Sequence, residues 1–370
     1  MGIALQPYTE DRTPAVVAFN ERLAQGGCPP EFRFPESPTP HWLPKSDGLP
    51  LFQEYYLATE NDFVRGGFIL KHQTFALRGQ THRVVYYHLP LSEGIINRAY
   101  ATTGALMLRG ALKMQPMLFA LGMGGFGNPL PTMLKAMGWN LSAVPFYFRV
   151  NHPARFLRNI AALRSSFSRI VLSNIAAVTG TGWGGIKAAQ WMRSVNSVRD
   201  IATEPMNTFG VWADELWETC APLYAMIGSR ESSVLNCLYP PGKNFLAIKV
   251  LRCSQTVGWA VLLDTQMLNN KYFGDLRVGT LVDCLAVPEN APAVIQAACD
   301  FLTRRGVDLI ICNHSQAAWG NAFRSSGFFS GPSNFIFAAS KLLAQQLDPI
   351  IDWQNEIFFM RGDGDGPVNL

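Results

Sequence analysis

The sequence carries little charge and no concentrated patch of it. Of its 370 residues, 16% are charged, and the formal net charge is +4. With 48% hydrophobic residues, the chain lies far from the composition of disordered segments, which combine high charge with few apolar side chains. A nucleic-acid binder usually shows a dense basic stripe with a recognisable reading motif, and the sequence has none. The composition therefore predicts a globular protein without a nucleic-acid partner.

Paired cysteines, a secretion signal and a long apolar run are also missing. The seven cysteines include no Cys-x-x-Cys pair, which disfavours both a zinc site and a disulfide framework. The N-terminal residues lack a basic segment followed by an apolar stretch. The most apolar region, 104–127, is interrupted by Arg109 and Lys113 and falls short of the roughly 18 apolar residues that span a bilayer. We therefore expect a reduced, cytoplasmic protein with no bound metal and no transmembrane segment.

One order of elements occurs twice, which suits a chain long enough for two domains. The first half is predicted to have strands at 52–59, 63–77, 82–89, 117–121 and 144–150 and helices at 98–113 and 128–137. The second half is predicted to have strands at 245–251, 256–264, 279–287, 307–312 and 335–339 and helices at 291–304 and 316–326. Pro90 and Pro288 are expected to end the third strands, and Gly138 and Gly327 to cap the last helices. The repetition predicts a duplicated domain; the alternative is two unrelated α/β units.

These patterns predict an α/β (α+β) protein with four parts. They are an N-terminal domain at 1–150, a basic helical connector at 151–204, a C-terminal domain at 205–345 and a tail at 346–370. In the tail we expect an edge strand at 357–360 followed by fraying at 361–366. The basic amphipathic connector also fits weak contact with an anionic membrane surface. We favour a connector whose apolar stripe packs on the domains.

The order of elements resembles the core of the GNAT acyltransferases. The likeness lies in two antiparallel strands, a third strand ending at a splayed loop, a helix, a parallel strand and a second helix closed by glycine and an aromatic residue. Residues 135–139 (Lys-Ala-Met-Gly-Trp) and 324–328 (Arg-Ser-Ser-Gly-Phe) are similar to that helix ending. The resemblance implies two consecutive GNAT-like domains with mixed central sheets flanked by helices. It also implies that acetyl-CoA or another acyl-CoA is a substrate.

In that family, backbone amides of a Gln/Arg-x-x-Gly-x-Gly/Ala loop hold the CoA pyrophosphate where the loop opens a helix. Helix-terminal N–H groups and the positive end of the helix dipole favour an anion there. The resemblance implies that this loop lies at 98–104 in the first half, with contacts from Arg98, Tyr100, Ala101, Thr102, Thr103 and Gly104. The corresponding segment of the second half, 287–293, has no glycine and carries Glu289, whose charge opposes a phosphate. The first half is therefore the better candidate for CoA.

Acyl transfer to an amine needs a base for the nucleophile and an acid for the departing thiolate. Glu93 and His88, at the end of the third strand, are the predicted bases, and each also has a purely structural interpretation. Asp283 in the second half either forms structural hydrogen bonds or faces the cleft. The family's usual acid is a tyrosine on the second helix, and the corresponding positions here are Leu134 and Phe323, which have no proton to give.

The sequence thus predicts an acyl-CoA-dependent N-acyltransferase that acts on an amine of a small molecule or sugar. Two alternatives stay open. Tandem domains of this type also resemble the FemAB-like aminoacyltransferases, which use aminoacyl-tRNA as donor. The missing tyrosines and the degenerate phosphate loops fit a non-catalytic ligand-binding protein. The sequence leaves the oligomeric state open.

Overall fold

The computed structural model describes residues 2–46, 48–49, 51–160, 184–188, 190, 198–242, 244–349 and 353–366. Its strands are β1 (Ala4–Pro7), β2 (Phe52–Glu60), β3 (Phe63–Leu77), β4 (Gln80–Ser92), β5 (Leu118–Gly122), β6 (Asn140–Ala143), β7 (Phe146–Val150), β8 (Ile201–Met206), β9 (Met226–Gly228), β10 (Leu246–Arg252), β11 (Gln255–Gln266), β12 (Arg277–Leu285), β13 (Leu309–Asn313), β14 (Phe329–Gly331), β15 (Ile336–Ala339) and β16 (Ile357–Phe358). The main helices are α1 (Thr13–Gln25), α2 (Thr103–Met114), α3 (Pro129–Ala136), α4 (Pro153–Asn159), α5 (Val211–Cys220), α6 (Ser232–Leu238), α7 (Ala291–Arg304), α8 (Ala317–Ser325), α9 (Lys341–Leu347) and α10 (Trp353–Glu356). The chain divides into unit 1 (Met1–Ser142 and Ile336–Pro349) and unit 2 (Ala143–Phe335 and Ile350–Leu370).

Unit 1 is built on a mixed sheet in the order β1-β2-β3-β4-β5-β15-β6. Strands β1 to β4 pair antiparallel in sequence, whereas β4 and β5 are parallel because α2 crosses between them. On one face α2 and α3 bury Met107, Leu108 and Leu134 against the sheet. On the other face α1 buries Val16 and Phe19, which lie three residues apart on its apolar stripe. Each such side chain stabilises the fold by about 1.5–3 kcal/mol.

Unit 2 repeats this arrangement with a mixed sheet in the order β14-β7-β13-β12-β11-β10-β8. Its parallel pair is β12 and β13, joined through α7. The helix α7 covers exactly the predicted range and buries Val294, Ala298 and Leu302 at helical spacing. The predicted fold class is therefore confirmed: two mixed sheets, each flanked by helices.

One strand of each predicted domain lies in the other unit's sheet, which corrects the sequence analysis. We expected 144–150 to close the first domain and 335–339 to close the second. Instead β7 pairs with β13 and β14 in unit 2, and β15 pairs with β5 in unit 1. Both are short apolar segments, so their side-chain pattern suits the interior of either sheet. The domain boundaries predicted from sequence assume two consecutive domains. They do not include this exchange, in which β7 joins the sheet of unit 2 and β15 joins the sheet of unit 1.

The third strand continues past the proline that was expected to end it. β4 runs to Ser92, and its register against β3 shifts between Gly67 and Ile69, opposite Leu89 and Pro90. Leu89 adopts a positive φ of 45°. Proline has no N–H for the ladder, so the strand accommodates it as a β-bulge rather than as a terminus.

The C-terminal segment is also more ordered than predicted. β16 is buried and pairs in parallel with β9, and residues 361–363 form a buried turn instead of fraying. Within the predicted connector, Pro153–Asn159 form α4, but most of the connector, including 161–183 and 191–197, lies outside the described residues. Within the described ranges, no helix is long and apolar enough to cross a membrane, and no group of three or more His, Cys, Asp or Glu side chains is placed to hold a metal ion.

Candidate active site

The parallel strands β4 and β5 of unit 1 separate soon after they meet. These two strands are fully described, and they pair at Val85–Leu118 and at Tyr86–Phe119. β4 then continues for six residues to Ser92, and β5 continues to Gly122, without further pairing to each other. We call the region beyond Tyr86 and Phe119 the strand opening. A gap between parallel strands exposes backbone hydrogen-bonding groups to which an extended ligand can bind.

The predicted base His88 lies at this opening. It is half-buried on β4, immediately before the bulge, and its Nδ1 is 3.2 Å from the hydroxyl oxygen of Tyr86. The Tyr86 hydroxyl donates to the carbonyl oxygen of Leu121 on β5 at 3.1 Å. The Tyr86 ring stacks on Phe119 with centroids 5.2 Å apart, which fixes its direction. His88 therefore contacts Tyr86 on its own strand, and Tyr86 in turn contacts the Phe119 ring and the Leu121 carbonyl oxygen of β5.

The segment predicted to bind pyrophosphate, residues 98–104, forms the start of α2 and is called here the α2 entrance. It consists of a short 3-10 turn at Arg98–Tyr100 followed by the helix from Thr103. The first helical hydrogen bond runs from Leu106 N to Thr102 O, so the preceding amides have no acceptor within the helix. The Thr102 side chain caps none of them. Because Arg98 and Thr102 are exposed, an anion can reach these amides.

The remaining residues of the predicted loop do not share one environment. Ala101 is exposed, and Gly104 has room for a side chain, since an added Cβ would meet only Met133 Sδ at 3.8 Å. Thr103 is fully buried, and its hydroxyl has no hydrogen-bond partner among the described residues. Tyr100 turns away from the entrance, because its hydroxyl donates to Glu60 Oε2 at 3.0 Å.

The second predicted base, Glu93, lies in an ion-pair cluster. Its buried carboxylate accepts hydrogen bonds from Arg22 Nε at 3.3 Å and from Arg65 Nη1 at 3.1 Å. The guanidinium of Arg65 also lies 4.2 Å from the ring centroid of Tyr100. Two cations thus neutralise Glu93, and the cluster ties α1 and β3 to the loop that leads into α2.

A groove of about 550 Å³ runs along α2 from the entrance. Its lining consists of Leu5, Thr102, Ala105, Leu106, Arg109, Gly110 and Lys113. The charged side chains in this lining are both cationic and lie one helical turn apart. The groove therefore offers positive charge along the helix beyond the α2 entrance.

Sequence reasoning missed Tyr86, Arg22 and Arg65. Tyr86 lay within a run of apolar strand residues and gave no motif. It was detectable through strand periodicity, which places residues 86 and 88 on the same face of β4. Arg22 and Arg65 were undetectable as partners of Glu93, because they are 71 and 28 residues away along the chain.

The corresponding place in unit 2 is built differently. Asp283 on β12 is buried and accepts from Arg230 Nε at 3.1 Å and from the Tyr239 hydroxyl at 2.9 Å, so it forms structural hydrogen bonds. The helix start contains Pro288 and Pro292, which supply no N–H groups. The two residues that match the missing tyrosine, Leu134 and Phe323, are both fully buried in the core.

The sequence matches no protein-family model and no curated protein. Among solved structures it is similar to Saccharomyces cerevisiae N-myristoyltransferase with bound myristoyl-CoA and inhibitors. The identity is 10%, the TM-score is 0.52, and the match covers 92% of this chain and 79% of the yeast chain. A second yeast N-myristoyltransferase structure, with bound myristoyl-CoA, gives 10% identity and a TM-score of 0.50, and the match covers 92% and 78% of the chains.

A GCN5-related N-acetyltransferase from Anabaena variabilis matches at 8% identity with a TM-score of 0.48. That match covers 77% of this chain and 62% of the Anabaena chain, which is less than two thirds of its length. Identities this low relate folds and not activities. The sheet orders and the yeast similarity together show that the chain has the fold of the GNAT-type N-acyltransferases.

Proposed function

We propose that the protein is an acyl-CoA-dependent N-acyltransferase whose unit 1 binds the thioester. The observation that carries the proposal is the strand opening between β4 and β5, which leads directly to an exposed, uncapped helix start. An extended pantetheine arm would bind to backbone groups of the separated strands. The pyrophosphate would accept hydrogen bonds from the amides at the α2 entrance, where the helix dipole favours negative charge.

The donor is proposed as an acyl-CoA of unspecified chain length. The yeast enzyme of similar fold was solved with myristoyl-CoA, which supports a thioester of this class. Arg98 at the entrance and Arg109 and Lys113 along the groove supply positive charge for the phosphates of CoA. The acceptor is proposed as an amine of a small molecule or sugar, and a cytoplasmic location belongs to the same proposal.

The chemical step is a transfer of the acyl group from sulfur to nitrogen. The amine nitrogen attacks the thioester carbonyl carbon, a C–N bond forms, the C–S bond breaks, and CoA leaves as a thiolate. His88 takes the proton that the amine nitrogen loses, and water protonates the thiolate. We assign the base to His88 rather than to Glu93, because Arg22 and Arg65 both bind the Glu93 carboxylate.

The second candidate function is non-catalytic binding of an acylated ligand. Its support is that Leu134 and Phe323 occupy the positions of the expected acid and are buried in apolar cores. Such a protein would bind acyl-CoA without releasing the free thiol.

Calorimetric titration with acetyl-CoA and with myristoyl-CoA tests the binding proposal. Thr102→Glu places a carboxylate at the start of α2. The positive end of the helix dipole stabilises this carboxylate, so the helix should still form, but the added charge repels a phosphate. We expect the affinity for acyl-CoA to fall about tenfold or more, since like charges destabilise a partly desolvated site. Asn290→Glu at the matching start of α7 is the control and should leave affinity unchanged. Equal affinity in both variants and in the parent would refute this location.

Release of free thiol from acyl-CoA in the presence of an amine tests the catalytic proposal. His88→Gln should lower kcat by about 100-fold, a usual contribution of a general base. The KM for acyl-CoA should stay within a few-fold of the parent value. Binding without any thiol release in the parent, across a panel of amines, would favour the non-catalytic function.

A further inference from the structure

The α2 entrance changes along its length from amides that have acceptors to amides that have none. The amides of residues 99–101 donate in turn to Asn97 Oδ1, Asn97 O and Arg98 O at 3.0–3.1 Å. The next amide with an acceptor is that of Leu106. Among the described residues, the amides at 102–105 therefore have no acceptor, and the buried hydroxyl of Thr103 has no partner either.

A helix start without a side-chain cap frays easily, because its first amides contribute no hydrogen bonds to the helix. Thr102 supplies no such cap. The amides at 102–105 can present a fixed set of donors only if the backbone just before them is held by other contacts. Tyr100, two residues before Thr102, makes contacts of this kind.

Tyr100 is fixed through its hydroxyl, its ring and its backbone. The hydroxyl donates to Glu60 Oε2 at 3.0 Å, and the guanidinium of Arg65 lies 4.2 Å from the ring centroid. Arg65 is itself held, because its Nε donates to the same Glu60 oxygen and its Nη1 donates to Glu93, both at 3.1 Å. An added Cβ on Gly94 would lie 2.5 Å from the Tyr100 carbonyl oxygen, so the backbone packs closely there. We call Glu60, Arg65, Glu93 and Tyr100 the Tyr100 clamp.

We propose that Tyr100 is a positioning residue for the pyrophosphate of acyl-CoA. The Tyr100 clamp ties the α2 entrance to the β2–β3 hairpin, so that the amides at 102–105 keep one arrangement before the anion arrives. Donors that are already ordered lose less conformational entropy on binding, and the affinity is higher for that reason. Tyr100 thus acts through these amides. The binding part of this inference rests on the proposed function, whereas the ordering of the helix start does not.

Hydrogen exchange of the full-length protein without ligand tests the ordering. Tyr100→Leu removes the hydroxyl and the aromatic ring, so the first hydrogen-bonded amides of α2, from Leu106 onward, should exchange about tenfold faster. Tyr100→Phe keeps a ring beside Arg65 and should give a smaller increase. Tyr56→Phe is the matched control, because it also removes a hydrogen bond to a glutamate of β2, from Tyr56 to Glu54 Oε2 at 3.4 Å. Unchanged exchange in Tyr100→Leu, or equal increases in Tyr100→Phe and Tyr56→Phe, would overturn the proposal.

Two donors that differ in the pyrophosphate test the binding. Acetyl-CoA contains this group, and S-acetylpantetheine lacks it. In calorimetric titration, Tyr100→Leu should raise the Kd of acetyl-CoA about tenfold and leave the Kd of S-acetylpantetheine within about twofold of the parent value. An unchanged Kd for acetyl-CoA would overturn the positioning role. An equal rise for both donors would overturn it too, because it would indicate general damage to unit 1.

The two experiments also separate this inference from the proposed function. Absence of acetyl-CoA binding in the parent would refute the proposed function, and with it the role of Tyr100 in binding the pyrophosphate. The exchange rates would still decide whether the Tyr100 clamp orders the start of α2. Binding of acetyl-CoA that is equal in the parent and in Tyr100→Leu would leave the proposed function intact and refute the inference alone.

Discussion

Units 1 and 2 have the same order of strands, but they differ in how far the two parallel strands stay paired and in what packs beside them. In unit 1 the pair β4–β5 is held at two positions and then separates next to an exposed helix start. In unit 2 the pair β12–β13 is held at four positions, from Val278–Leu309 to Leu281–Cys312. Beyond Leu281 the space is filled by protein.

The filling in unit 2 is a buried ionic network and the C-terminal segment. Arg230 donates to both Asp283 and Asp363, and these three side chains are 1% exposed. An added Cβ on Gly362 would lie 2.9 Å from Asp283 Oδ2, so the C-terminal backbone packs directly on the network. A side chain at 362 would push this segment out. Among the described residues, the same fold thus has a strand pair that separates early in one copy and a buried ionic network beside the strand pair in the other.

The largest expected effect is on the stability of unit 2. Arg230→Met leaves Asp283 and Asp363 buried without a cation, which should lower the free energy of unfolding by about 3–5 kcal/mol. Urea denaturation followed by tryptophan fluorescence measures the change. Arg304→Met, on the exposed end of α7, is the matched control and should stay within about 0.5 kcal/mol of the parent. A loss below about 1 kcal/mol for Arg230→Met would show that the network is not the centre described above.

A smaller effect is expected from the ion-pair cluster of unit 1. Glu93→Gln removes a charge that Arg22 and Arg65 share, but both guanidiniums keep some access to water, with 27% and 14% of the side chains exposed. We expect a loss of about 1–2 kcal/mol on urea denaturation. Glu60→Gln should cost less, because the Glu60 side chain that accepts from Arg65 is 27% exposed, against 6% for Glu93.

The same Glu93→Gln variant decides between the two predicted bases. Because Glu93 is bound by two cations, its thiol-release kcat should stay within a few-fold of the parent. A fall of about 100-fold or more in the thiol-release kcat of a folded Glu93→Gln protein would indicate that Glu93 is the base and would contradict the assignment to His88.

Local signals in the sequence were enough for most helices and hairpins. The apolar spacing at 291–304 predicted the range of α7, and the adjacent strand patterns at 52–59 and 63–77 predicted β2 and β3, which form a hairpin in which Asn61 has a φ of 54°. These elements depend on side chains that are close in sequence. The bulge at Pro90 is the exception. The proline is a local signal, but whether it ends the strand or forms a bulge depends on how β4 pairs with β3.

Long-range features were beyond the sequence for a physical reason. Arg230 and Asp363 are 133 residues apart, and nothing near Asp363 distinguishes a buried ion pair from a solvated Gly-Asp tail. The exchange of β7 and β15 is similar, because each strand offers the same apolar pattern to either sheet. Of the candidate site, the position of the α2 entrance was predictable from motif order, but the Tyr86–Leu121 contact was not.

A still smaller effect is expected from the pH dependence of the unit 2 network. Burial, aided by the nearby charge of Asp363, raises the pKa of Asp283 from 3.8 to about 6, against the opposing charge of Arg230. The folded state then binds a proton more readily than the unfolded state, so the contribution of Asp283 to stability is full below about pH 4 and is lost as pH rises through 6. Relative to Asp283→Asn, the parent should lose on the order of 1 kcal/mol of stability between pH 5 and pH 7. A difference that is constant over this range in urea denaturation would contradict the raised pKa.

The last prediction is that acyl-CoA binding to unit 2 does not change in a variant whose helix start is made more like that of unit 1. It is the most direct test of the difference between the two units. Pro292→Ala restores an N–H in the first turn of α7 and makes this helix start more like the α2 entrance. Phosphate binding should still not appear in unit 2, because Glu289 opposes it and the space beside β12 is occupied by the C-terminal segment. Calorimetric titration with acyl-CoA should give one site per chain in both the parent and the variant. Two sites in Pro292→Ala would mean that the helix start alone governs binding, and the contrast between an open and a filled strand pair would no longer explain which copy binds the thioester.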